Sequence, residues 1–184
     1  MHTGLEEGSN GFTRMAAYFA ERAAGGVGLI VTGGIGPNPE GAVFQGGSRM
    51  DTVEEAEAHK EVTAAVHEAG GKICMQILHA GRYADSKQPV APSAIQAPIN
   101  PARPRALTTE EVYQQVAAFV NCAGLAQSAN YDGVEIMGSE GYLINQFIVE
   151  HTNQRDDEWG GSFENRIRFP VEIVRQVREK VGTD

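Results

Sequence analysis

Apolar positions along the chain fall into two alternating rhythms, one helical and one strand-like. Between Gly11 and Gly25, Phe12, Met15, Ala16, Phe19 and Ala23 recur at helical spacing, and Gly25-Gly26 supplies a stop. Val27-Gly28-Leu29-Ile30-Val31 then runs without a polar break, the pattern of a strand buried on both faces of a parallel sheet. A second helix is predicted from Thr52 to about Ala69. Thr52 and Glu55 have capping-box spacing, Val62, Ala65, Val66 and Ala69 share one side, and Gly70-Gly71 ends it. Lys72 to Leu78 (KICMQIL) is the next strand. The third helix runs from the capping pair Thr108 and Glu111 to about Ala129, burying Val112, Val116, Phe119, Val120 and Ala123. Gly133-Val134-Glu135-Ile136-Met137 is a short strand. The last helix aligns Ile167, Val171, Val174, Val177 and Val181, and Pro170 is expected to kink it or to mark its effective start.

Strands alternating with helices call for parallel strands joined by right-handed crossovers. The expected fold class is α/β, a partial (β/α)8 TIM barrel. A half-barrel leaves sheet edges and an apolar helix layer uncovered. The expectation is therefore a fragment, residues 1–184 being the N-terminal part of a barrel domain truncated at both ends, prone in isolation to aggregate or to dimerise through its open edges. The connection from His79 to Leu107 is long and carries Pro89, Pro92, Pro98, Pro101 and Pro104. It is expected to be ordered by proline, anchored by Tyr83, Ile95 and Ile99, and packed over the barrel mouth.

Composition changes this picture little. With 41% hydrophobic and 21% charged residues among 184, the chain is an ordinary globular protein with one core. No apolar run approaches membrane-spanning length, and the N-terminus lacks the charged-then-apolar form of a secretory signal. A net charge of −9 argues against non-specific nucleic-acid binding. The two cysteines, Cys74 and Cys122, form no CxxC pair and fall in elements expected to be core, so they read as small apolar residues in a reducing cytoplasm. None of His2, His59, His67, His79 and His151 has metal-ligand spacing; His59 and His67 are expected on a helix surface.

The candidate chemistry lies at strand C-terminal ends, which in a barrel converge on one mouth. After the first apolar strand, Gly33-Gly34 either permits close backbone approach to a ligand or makes only a tight turn. Gln76, polar in an apolar strand, is either a ligand group or a satisfied core amide. After Met137, Glu140 and Tyr142 place a carboxylate and a phenol within one loop. Glu140 could instead cap the short helix that follows, and Tyr142 could be a packing residue. The charged stretch from Asn153 through Arg155-Asp156 to Asn165-Arg166 reads as a self-bonded loop that buttresses a site. An aldolase or isomerase barrel would want a Schiff-base lysine or metal carboxylates at strand ends; Lys72 opens its strand, and the only strand-end carboxylate is Glu140. A non-catalytic interaction module fits the clustering of polar groups less well.

The motif NxRxDxxGGSxxNRxRF following a GYL loop resembles the Old Yellow Enzyme superfamily of flavin-dependent (β/α)8 barrels. Met137-Gly138-Ser139-Glu140-Gly141-Tyr142-Leu143-Ile144-Asn145-Gln146-Phe147 is similar in particular to the bacterial 2,4-dienoyl-CoA reductase branch. So are the opening Met1 to Glu7, the run Gln76 to Tyr83, and Ala91-Pro92-Ser93-Ala94. The resemblance implies that Met1-His2-Thr3 is the exit of barrel strand 1 rather than a tail, so that the chain runs from that exit through helix 4. It implies FMN as cofactor, with Met1 and His2 beside the ring near N5 and O4, Gly33 as the small residue beneath it, and Gln76 on its pyrimidine edge. It implies Tyr142 as donor of a proton to carbon after hydride arrives from reduced FMN. Many relatives carry a His/His or His/Asn pair at Met137 and Glu140 for a carbonyl oxygen; the departure here fits the dienoyl-CoA reductases. The implied substrates are an acyl-CoA and NADPH, in unsaturated fatty acid β-oxidation, with FAD and a 4Fe-4S cluster in parts of the protein outside this chain.

Overall fold

The computed structural model describes residues 3–182, so Met1 and His2 lie outside the described residues. Helix α1 spans Gly11–Ala24, strand β1 Leu29–Ile35, helix α2 Val53–Glu68 and strand β2 Lys72–Ile77. After a 3-10 turn at Gly81–Tyr83 come two short strands, β3 Val90–Ala91 and β4 Arg105–Ala106, then helix α3 Thr109–Ser128, strand β5 Gly133–Ile136, and helices α4 Leu143–Ile148 and α5 Phe163–Val181. The main sheet is parallel in the order β1-β2-β5. Helices α1 with α2, and α3 with α5, form the layer that covers it. This is part of a (β/α) barrel, as the alternation implies.

Local chemistry sets the helix starts. At α2 the Thr52 hydroxyl accepts the Glu55 N–H at 3.2 Å and the Glu55 carboxylate accepts the Thr52 N–H at 3.1 Å. At α3 Thr108 and Glu111 repeat the exchange at 3.2 and 2.7 Å. Each box satisfies two otherwise orphaned donors. The core lies between sheet and helices and includes Phe19, Ile30, Val62, Ile73, Met75 and Phe119.

Three expectations fail for physical reasons. First, β1 extends through Thr32-Gly33-Gly34 to Ile35 and is not buried on both faces: Leu29 is 55% exposed. The helices cover only the Ile30 side, and on the other side no described strand stands opposite. For the same reason Cys74 is only half-buried, whereas Cys122 is fully buried. Second, the buried stripe of α5 is Phe169, Ile173 and Val177, while Val171 and Val174 are each 54% exposed. Phe169 decides the rotation: it stacks on Phe147 at 4.1 Å and meets Phe119 and Trp159 edge-on. An aromatic side chain buries more apolar area than a valine, so the face carrying it wins. Pro170 lies inside α5, which is capped by Ser162. Third, His59 is 2% exposed rather than on a helix surface, its Nδ1 2.7 Å from the Tyr131 hydroxyl; His67 is exposed and meets Asp132 at 2.8 Å.

The proline-rich connection is ordered. β3 and β4 pair in parallel, and Val90, Ala91, Ala97 and Leu107 are buried. Ile99 is not an anchor, being exposed.

Candidate active site

Strand β1 breaks register against β2 between Val31 and Gly34, so that Val31 faces Cys74 and Gly34 faces Gln76. At this bulge the Thr32 hydroxyl accepts the Gln76 N–H at 3.0 Å, in place of a ladder carbonyl. An extra residue in one strand shifts which side chains share a face. Gly34, not Gly33, therefore stands beside Gln76. A Cβ on Gly34 would fall 2.7 Å from Leu78 Cδ1 and 2.8 Å from Leu78 Cβ, so only glycine fits. Gly33 is buried in the bulge and contributes its carbonyl to the Thr32 hydroxyl at 2.8 Å.

Gly34, Val43, Gln76, Leu78, Met137, Glu140 and Tyr142 line a cleft of about 420 Å³. The fold thus brings together Gln76, Glu140 and Tyr142 from two strand ends. The Gln76 side chain donates to the Glu135 carboxylate at 3.1 Å across the β2–β5 register. That bond orients the amide and leaves Oε1 and the second amide hydrogen for a partner. Glu140 makes no hydrogen bond or ion pair among the described residues, and it does not cap α4, whose N-cap residue is Tyr142, without a side-chain cap bond. Its backbone is left-handed, φ +62°, which is uncommon outside glycine and concentrates at functional sites.

Tyr142 is half-buried and meets the Tyr83 ring edge-on, centroids 6.2 Å apart. Its chain segment is held from several sides. The Leu143 N–H donates to the His79 carbonyl at 3.0 Å, the Gln146 N–H to the Tyr142 carbonyl at 2.8 Å, and the Gly141 N–H to Asn145 Oδ1 at 3.0 Å. His79 is buried, which lowers its pKa to about 4. The neutral ring accepts the Gly81 N–H at Nδ1, 3.1 Å.

The charged stretch from Asn153 to Arg166 is bonded largely to itself and to the proline-rich connection. Arg155, its side chain 9% exposed, pairs with Asp157 rather than Asp156, at 2.9 and 2.5 Å. It also donates to the carbonyls of Pro92 and Leu107, tying the proline-rich connection to this loop. Arg166 holds the Ile148 and Gly161 carbonyls. Sequence reading named Gly34 only together with Gly33, and missed the places of Glu135, Tyr83 and Gln146 at the site. Glu135 had a signal, a polar residue in a short strand next to the one carrying Gln76. The others show only once register and burial are fixed.

A flavin's pyrimidine edge needs donors and acceptors in one plane, beside a wall without side-chain bulk. The restrained Gln76 amide and the bare Gly34 backbone fit that edge, and the cleft is of ligand size. Among the described residues no three His, Cys, Asp or Glu side chains converge to hold a metal, and no helix is long and apolar enough to cross a membrane.

A family model described as NADH:flavin oxidoreductase / NADH oxidase matches residues 1–184. An NADH oxidase from Thermoanaerobacter brockii is 42% identical over 177 residues, covering 93% of this chain and 27% of that protein. Morphinone reductase, solved in complex with tetrahydroNAD, superposes with a TM-score of 0.86 at 33% identity, over 91% of this chain and 52% of its own. A 2-naphthoyl-CoA reductase complexed with 2-naphthoyl-CoA superposes equally well, TM-score 0.86 at 32% identity, over 91% of this chain and 28% of its own.

Proposed function

The chain belongs to the NADH:flavin oxidoreductase / NADH oxidase family, and from that premise we propose that residues 1–184 form the first half of an FMN-binding barrel that reduces a conjugated C=C, most specifically that of a 2,4-dienoyl-CoA. The observation that carries this reading is the cleft itself, where Gln76, Glu140 and Tyr142 converge beside Gly34. Gln76 binds the pyrimidine edge of FMN. Gly33 and Gly34 leave the bulged backbone bare for the ring; the roles that the resemblance implies for Met1 and His2 fall on residues outside those described.

Gln76 and the bare backbone of Gly33 and Gly34 would hold FMN, which when bound and reduced would supply hydride chemistry for the far end of the dienoyl thioester. Tyr142 supplies the proton that completes the reduction, so two electrons and two hydrogens are added in all. Glu140 helps to orient the substrate. By the sequence resemblance, Met137 and Glu140 stand where many relatives carry a His/His or His/Asn pair for a carbonyl oxygen. The 2-naphthoyl-CoA complex of a structural relative supports an acyl thioester as the substrate class. An enoate or enal reductase is the second reading, supported by the likeness to morphinone reductase. For the first reading, the sequence resemblance to the 2,4-dienoyl-CoA reductases implies that electrons come from NADPH through FAD and an iron–sulfur cluster elsewhere in the whole protein. The chain spans only 27% of the T. brockii NADH oxidase.

The test uses the whole protein. Its visible spectrum should show flavin bands that NADPH bleaches and a 2,4-dienoyl-CoA restores. A Tyr142→Phe variant should bleach normally and reoxidise about 10²- to 10⁴-fold more slowly, the usual worth of a positioned proton donor. A colourless protein that takes up no FMN would sink the flavin reading. Reoxidation by simple enals but not by dienoyl-CoA would select the second one.

A further inference from the structure

Tyr142 can deliver a proton only if its loop is held in register with the cleft, and the side chain that joins that loop to β2 is Gln146. Gln146 is 1% exposed, on the buried face of α4. Its Nε2 donates to the Gly141 carbonyl at 2.7 Å and to the Ala80 carbonyl at 3.4 Å. Its Oε1 accepts the Arg82 N–H at 3.1 Å. One amide thus bridges the residue immediately before Tyr142 to the segment leaving β2. Its own backbone is anchored at both ends, the N–H on the Tyr142 carbonyl and the carbonyl on the Thr152 hydroxyl at 2.8 Å.

The surroundings are shaped to this side chain. Gly81 has φ +60°, and a Cβ there would fall 2.5 Å from Gln146 Oε1. Gly141 has φ +81°, and a Cβ there would fall 2.7 Å from Tyr83 Cε2, the ring that Tyr142 meets edge-on. The two glycines let the β2 exit and the Tyr142 loop approach closely enough for a single glutamine to span them. Only an amide supplies a donor and an acceptor together at this length. A carboxylate would set oxygen against the Gly141 and Ala80 carbonyls.

We propose that Gln146 is a positioning residue for the proton-transfer step, holding Gly141 and therefore Tyr142 against the exit of β2. The proposal rests on the reading of Tyr142 as proton donor, and the tests separate the two.

In the full-length protein, Gln146→Glu should retain flavin and bleach with NADPH at the wild-type rate. Reoxidation by the dienoyl thioester should slow on the order of tenfold or more, with kcat rather than KM carrying the loss. In a Tyr142→Phe background the same substitution should slow reoxidation no further, because the group it positions is gone. Gln146→Met, apolar and of similar length, should behave alike and guards against a folding failure peculiar to a buried carboxylate. Hydrogen exchange over residues 139–147, measured on FMN-free protein, should accelerate in both variants. Wild-type reoxidation in the variants would overturn the proposal, as would an equal further slowing of Tyr142→Phe. If the wild-type protein takes up no FMN, or its bleached flavin is not reoxidised by the dienoyl thioester, the proton-donor reading fails before any variant is made. The exchange measurement then decides alone whether Gln146 holds the segment, and unchanged exchange would overturn that too.

Discussion

Replacing Arg155 by methionine removes a guanidinium and keeps most of its apolar stem, so the cost can be worked from the bonds lost. Arg155 holds the Asp157 carboxyl at a pKa of about 2, against an ordinary 3.8; the Thr109 hydroxyl and the Trp159 N–H add to the effect while partial burial opposes it. Nearly two pKa units correspond to about 2.5 kcal/mol at most. The carboxylate is partly exposed and has those other donors, so solvent-screened and shared, the Arg155 part is about 1 kcal/mol. The Pro92 and Leu107 carbonyls each lose a charged donor, about 1 kcal/mol apiece. Arg155→Met should therefore lower the stability of the barrel by about 3 kcal/mol, read as a shift of the urea midpoint at unchanged slope. The pH dependence follows from the sign of the shift. A carboxyl whose folded pKa is depressed stabilises fully above its unfolded value near 4, and the contribution is lost as the pH falls through about 2. About half of the Asp157 part is gone by pH 3, so the gap between wild type and variant should narrow there. A deficit under about 1 kcal/mol at pH 7 would refute the account, since an exposed surface pair alone gives about 0.2–1 kcal/mol. So would a deficit that does not change between pH 7 and pH 3.

Other outcomes follow from the same structure. Burial lowers the pKa of His59 to about 4, so the unfolded chain takes up a proton below its ordinary 6.5 before the folded one does. Stability should fall between pH 6.5 and 4, by about 2 kcal/mol from this group at pH 5, and urea melts of His59→Gln should lack that component. Phe169→Ala should cost about 3–5 kcal/mol by opening the aromatic cluster with Phe147, Phe119 and Trp159, whereas Val174→Ala on the exposed side of α5 should stay within about 0.5 kcal/mol. Glu140→Gly should relieve the left-handed backbone at φ +62° and raise the melting midpoint, a gain of up to about 1 kcal/mol, while slowing flavin reoxidation by the dienoyl thioester. A variant both less stable and equally active would contradict the roles given to that loop.

The order of helices and strands, both capping boxes and the grouping of chemistry at strand ends were legible in the chain, because periodicity, caps and turn residues act over a few positions. Gln76, Glu140 and Tyr142 were legible for a related reason, since a strand's C-terminal end in such a fold points to the mouth. Tertiary structure decided the rest. The bulge at Thr32 to Gly34 decided that Gly34 pairs with Gln76, a register effect that a single strand does not encode. The competing apolar faces of α5 were settled by where Phe147 and Trp159 already stood. His59 became a core residue only because Tyr131 arrives opposite it from the end of α3. Gln146 reads in sequence as one more polar residue in a short helix. It becomes a bridge only when the exit of β2 is brought beside the Tyr142 loop, because a hydrogen bond is specified by distance in space and not by distance along the chain.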